Sequence, residues 1–103
     1  MWNVPSKEQL SGIPRLYVTE GIKAPDKVVH AHFFMSSCDW YVVEFDGNDT
    51  FFGYVILNND HHCAEWGYFS FSQLRQLSYN GIEVDYDLHW QPCPFSQLRF
   101  DRG

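Results

Sequence analysis

Between Val28 and Leu74 the sequence has no lysine and no arginine. Six acids fall in that stretch (Asp39, Glu44, Asp46, Asp49, Asp60 and Glu65), while the remainder of the chain holds seven acids and seven bases. The whole formal charge of -6 therefore resides in one central segment. Neutralising phosphate takes clustered Lys and Arg, so direct nucleic-acid binding is disfavoured. A segment of this kind suits a basic protein partner or imitates a phosphate backbone. A surplus of carboxylates kept for solubility gives the same composition.

Other absences narrow the class further. The longest uncharged apolar run, Phe51 to Leu57, is far short of the roughly 20 residues that a membrane helix needs. The start, MWNVPSKEQ, lacks the basic and apolar regions of a signal peptide. Cys38, Cys63 and Cys93 are odd in number and include no CxxC pair, so reduced thiols in a cytoplasm are expected in place of a disulfide framework. There is no HExxH helix, no GxSxG elbow, no SxxK and no glycine-rich phosphate loop. Phe52-Gly53-Tyr54-Val55 looks like the aromatic strand of an RNA-recognition motif, but Thr50 and Phe51 stand where the basic residue should be.

What is present is 45% hydrophobic and 18% aromatic residues in 103, the composition of one globular domain spanning 1–103. Ser6-Lys7-Glu8-Gln9 has the spacing of a capping box and predicts a helix of at most two turns, stopped by Gly12 and Pro14. Ile13 to Asp26 reads as an extended arm with turns. Lys27 to Met35, Trp40 to Phe45, Thr50 to Leu57 and Cys63 to Phe69 read as four strands, joined by short turns that make a meander. Asp46-Gly47-Asn48-Asp49 is the strongest of these turn signals. Ser70 starts a helix with Phe71, Leu74 and Leu77 on one face, which Asn80-Gly81 is expected to end. Ile82 to Trp90 alternates without a break and reads as one half-buried strand. The pentapeptide FSQLR occurs at Phe71 to Arg75 and again at Phe95 to Arg99, where a short helical turn after Pro94 is expected. The fold class that follows is α+β: an antiparallel meander sheet of about five strands, one helix packed on a face, and a short N-terminal helix.

The candidate chemistry is concentrated but ambiguous. On a strand, His30 and His32 point the same way, and such a pair is a two-ligand unit for zinc. His61, His62, Cys63, Glu65, His89 or Cys93 would have to complete it, and no spacing matches a closed zinc site. The stretch NNDHHCAEWGY, Asn58 to Tyr68, gathers ligand-type residues, yet its first half is where a turn belongs. Cys63 on a strand reads as a buried structural thiol, and no resident cofactor is expected. Glu83, Asp85 and Asp87 share a strand face, which serves a carboxylate pair in acid/base work or a solvated edge protected by like charge.

MWNVPSKEQLSGIPRLY, HFF, CDWYVVEFDG, FFGYVILNND, AEWGYFSFSQL and VDYDLHWQP together resemble a family of small bacterial proteins encoded on plasmids, integrative elements and prophages. The likeness runs from Met1 to about Pro92. That family has no established activity, so the resemblance implies a setting and no catalytic role: an accessory protein of a mobile genetic element. Three functions are compatible with the residues. The first is a non-enzymatic inhibitor of a host defence, of the anti-CRISPR or anti-restriction kind. It would meet a nucleic-acid-binding complex through Glu44, Asp46, Asp49, Glu83, Asp85 and Asp87. The second is a metal-binding or metal-dependent hydrolytic domain using His30 and His32. The third is a structural accessory of conjugation or replication machinery. Surplus aromatics and free sheet edges are also compatible with a homodimer.

Overall fold

The computed structural model describes residues 1–98. The chain runs through helix α1 (Lys7–Leu10) and strands β1 (Val28–Val29), β2 (Ala31–Met35), β3 (Cys38–Phe45), β4 (Thr50–Ile56) and β5 (Glu65–Ser70). Helix α2 (Phe71–Gln76) follows, then β6 (Ser78–Tyr79), β7 (Ile82–Glu83), β8 (Asp85–Tyr86) and β9 (Cys93–Pro94). The main sheet is antiparallel and ordered β5-β4-β3-β2-β8, so the expected meander is present and β8 returns to pair with β2. An α+β fold with a five-stranded antiparallel sheet, a helix on one face and a short N-terminal helix is what the sequence predicts.

The two faces of the sheet carry separate clusters. On the α2 face lie Phe33, Trp40, Val42, Phe45 and Phe51, covered by Leu74 of α2 and by Leu10 and Ile13 from the N-terminal region. The opposite face packs Val29, Tyr41, Val43 and Ile56 under Trp90, Phe95 and Leu98 of the C-terminal segment. That segment is held by the two-residue β1–β9 pairing and by the Trp90 indole, which donates to the Val29 carbonyl at 2.9 Å. β3 is buried along its whole length.

A bulge in β3 between Val42 and Glu44 resets the alternation. Without it, the even positions Trp40 and Val42 would be followed by Glu44 into the aromatic core. With it, Phe45 pairs with Phe51 on the core side, and Glu44 pairs with Phe52 on the other. Gly53 sits opposite Val42 at this irregularity, and a Cβ built on it would lie 1.9 Å from the Tyr41 carbonyl oxygen. The glycine of the Phe52-Gly53-Tyr54 run is thus a packing requirement of the bulge.

The α1 capping box is present, with Ser6 Oγ accepting from the Gln9 amide and Gln9 reaching back to the Ser6 amide. At α2 only the first half of such a box forms, Ser70 Oγ accepting from the Gln73 amide, and Pro94 precedes a 3-10 turn over Phe95–Gln97, within the second FSQLR copy. Arg99, which ends that copy, lies outside the described residues.

Four expectations need correction. The stretch Lys27 to Met35 is split at His30, because β1 pairs with β9 while β2 pairs within the main sheet. The fourth strand starts at Glu65, so Cys63 lies exposed in the preceding turn and is not a buried strand thiol. Helix α2 ends at Gln76, and Asn80-Gly81, both at positive φ, forms the turn of the β6–β7 hairpin. Ile82 to Trp90 is not one strand. Only Val84 and Tyr86 reach the core cluster, Ile82 and Leu88 are exposed, and Trp90 packs on the opposite face.

Candidate protein-binding surface

The six carboxylates expected to meet a partner separate into three groups. Glu44 is buried, 3% exposed, where it accepts hydrogen bonds from the Tyr17 amide at 2.9 Å, the Thr19 amide at 3.0 Å and the Thr19 hydroxyl. Burial acts to raise its pKa, but the Thr19 hydroxyl, the two amides and the nearby Lys27 charge together hold it below the ordinary value. Glu44 therefore ties the N-terminal arm to the sheet and is not a contact surface.

Asp46 and Asp49 lie in the β3–β4 turn. Asp46 Oδ1 gathers the amides of Asn48, Asp49 and Thr50 at 2.8, 2.9 and 3.0 Å, an Asx-type turn. Asp49 accepts from both the amide and the hydroxyl of Ser72 at 2.8 Å and so fastens the first turn of α2. Glu83, Asp85 and Asp87 belong to the far edge, around β7 and β8. Glu83 pairs with the amino group of Met1, Asp85 accepts from the Asn3 amide and side chain, and Asp87 accepts from the His89 amide and faces His32.

His32 and Asp39 form a site the sequence reading missed. His32 is 7% exposed and Asp39 2%. The imidazole Nε2 lies 2.7 Å from Asp39 Oδ1, and Nδ1 lies 3.1 Å from Asp87 Oδ2. The ring stacks on Tyr41 at 4.6 Å and meets Trp90 at 5.2 Å. The signal was countable: a tight Ser36-Ser37 turn puts Phe34 opposite Asp39 and His32 opposite Tyr41, so His32 and Asp39 share a face as diagonal neighbours. With both nitrogens engaged, His32 has no free ligand atom. His30, at the break between β1 and β2, is half-buried, and burial lowers its pKa. Among the described residues no group of three or more His, Cys, Asp or Glu is placed to hold a metal.

Asn58 to Cys63 is a turn, with Asn58 and Asn59 at positive φ. Asp60 receives the Cys63 thiol and the amides of His62 and Cys63, and the thiol bond leads in keeping its pKa low. The same bond pushes the Cys63 thiol up, away from the thiolate that nucleophilic or metal chemistry requires. The NDHHC cluster is thereby organised as a turn around Asp60, and the Asn59 amide ties it to the Ser37 carbonyl at 2.8 Å.

What remains at the surface surrounds β5. This strand pairs only with β4 among the described residues. Asp46 and Asp49 lie near the end where Thr50 meets Ser70, and Asp60 and Glu65 near the other. On one side of the strand Trp66 stacks on Phe52 and Tyr68 meets the same ring at a tilt, and Tyr68 is 57% exposed. On the other side Trp40, Val55, Leu57 and Phe69 line an open cleft of about 390 Å³.

Comparison finds no match. No family model, no curated protein and no solved structure matches the chain. No helix among the described residues is long and apolar enough to cross a membrane.

Proposed function

We propose that the chain is a protein-binding module without chemistry of its own, and that its partner presents Lys and Arg. One observation carries this reading. The carboxylates left at the surface of the base-free segment, Asp46, Asp60 and Glu65 with half-buried Asp49, bracket the β5 edge of the sheet at both ends. An edge flanked by carboxylates and bearing the exposed Tyr68 ring beside half-buried Trp66 matches the composition of an interface anchored by aromatics, and it opposes the residues that grip phosphate. Glu83, Asp85 and Asp87 lie in and around the opposite edge strand, with three strands between it and β5, and Glu44 is inside. The expected six-residue patch therefore contracts to its hairpin acids, joined by Asp60 and Glu65.

The resemblance to proteins of plasmids and prophages supplies the setting: an accessory protein of a mobile element, acting on a DNA-binding defence complex of the CRISPR or restriction type. The experiment is retention of a purified CRISPR effector and a purified restriction enzyme on immobilised full-length chain, in low and in high salt. Retention of either at low salt, lost as salt rises, is the expected result. Failure to retain both at low salt, or retention indifferent to salt, overturns the reading.

A further inference from the structure

We propose that β5 is a docking edge to which an extended, Lys- or Arg-bearing segment of the partner adds as a sixth strand; this rests on the binding-module reading above. β5 is six residues long, and its register with β4 runs from Thr50↔Ser70 to Val55↔Glu65 without a bulge. Exposed edges of natural sheets are usually blunted by lysine, proline, a bulge, brevity or a covering element. β5 has none of the first four, and among the described residues no strand covers it. The opposite edge is guarded. β8 has two residues, the Trp2 amide donates to the carbonyl of neighbouring Val84 at 3.2 Å, and Asn3 bonds to Asp85.

A strand laid along β5 would send alternate side chains to two seats. One seat is the cleft on the α2 face, beside Gly67. A Cβ added to Gly67 meets nothing within 4 Å, so the cleft wall is open where an incoming side chain would enter. Its floor is apolar and its rim carries Asp60 and Glu65, with no Lys, Arg or His lining it. The other seat is the exposed Tyr68 ring, whose face attracts a cation, next to half-buried Trp66, which is already packed on Phe52 and Phe95. An incoming strand that lays an apolar residue over the cleft floor, sets Lys or Arg at the cleft rim beside Asp60 and Glu65, and turns a further Lys or Arg to Tyr68 on the other face satisfies both. A second copy is the poorer occupant, because it would bring a second Glu65 and a second net charge of -6 to the same edge.

Three fluorescent peptides test this against the full chain at low salt: one of alternating lysine and valine, its glutamate–valine counterpart, and the lysine peptide N-methylated at alternate backbone amides. The lysine peptide is expected to bind and to slow amide exchange over Glu65–Ser70, and the glutamate peptide to show no binding. N-methylation keeps the charge and removes backbone donors, so it should weaken binding about tenfold or more. Glu65→Lys should weaken the lysine peptide while leaving the circular dichroism spectrum unchanged. If the N-methylated peptide binds as well as its parent, strand addition is overturned and the basic-partner reading stands. If no peptide binds, or the glutamate peptide binds equally, both fail. Sedimentation of a dimer with slowed exchange at Glu65–Ser70 in the absence of peptide would assign the edge to a second copy and overturn the proposal.

Discussion

Both ring nitrogens of His32 face carboxylate oxygens, at 2.7 and 3.1 Å. An ionised carboxylate only accepts, so both contacts close only when each nitrogen carries hydrogen, or when the carboxyl facing the bare nitrogen does. Asp39 comes from β3 and Asp87 from beyond β8, so His32 fastens the C-terminal segment to the sheet. Removing the imidazole leaves a buried carboxylate without that partner. His32→Phe is expected to lower unfolding free energy by about 3 kcal/mol in urea titrations. Asp39→Asn should cost less in the His32→Phe background than in the parent, the coupling a double-variant cycle measures. From the sequence, His30-Ala31-His32 suggests a metal pair, because residue type and spacing report which side chains share a face. The Asp39 partner follows only once the turn register is counted, and spacing does not report at all that the other nitrogen is claimed by Asp87, 55 positions on.

At the scale of the element, β3 and β4 show where alternation suffices and where it does not. The strands themselves, their order and the Asp46–Asp49 turn are legible because each is specified by residues within a few positions. The bulge is not, since a single extra residue in β3 leaves no compositional mark. Its dependence on Gly53 gives a sharp expectation. Gly53→Ala should destabilise the fold by about 3 kcal/mol in chemical denaturation, because its Cβ meets backbone and not a movable side chain. Gly67→Ala, on the open edge, should change stability by less than about 1 kcal/mol. Ile82 to Trp90 alternates as well as any strand in the chain, yet period two says nothing about which neighbour pairs. β7 takes β6, β8 takes β2, and the chain turns after Asp87. Asn80-Gly81 satisfies either a helix stop or a tight hairpin, and two-residue strands are too short to distinguish these beforehand.

For the whole molecule, the charge pattern is partly an interior property. Of the six acids in the base-free segment, Asp39 and Glu44 are buried. This is why the candidate surface is only partly readable: composition counts carboxylates, while their depth depends on the bulge and on the β2–β3 register. The pKa values of Glu44, Asp46 and Asp60 are all depressed. A depressed carboxylate adds stability that is complete above its unfolded value and is lost as pH falls through the folded one. Asp46 and Asp60 are exposed, so the buried Glu44 should dominate. Thermal unfolding followed across pH is expected to give a flat midpoint above about pH 5 and a falling one below. Glu44→Gln should lower the plateau and flatten the acid slope; an unchanged slope would contradict the role given to Glu44.

The strand order has a further consequence for how the molecule is assembled. β2 to β5 are joined by neighbours in the chain, so their pairings close short loops and suit early formation. β8 reaches β2 only across some fifty residues, as Phe33↔Tyr86 and Phe34↔Asp85, and the Met1 amino group bonds to Glu83 from the other end of the sequence. A four-stranded intermediate would therefore carry two open edges, β5 and the outer side of β2, until the late segment arrives. In the native state the same topology leads us to expect the β8 side to open first in hydrogen exchange, and β3, paired on both sides, to exchange slowest.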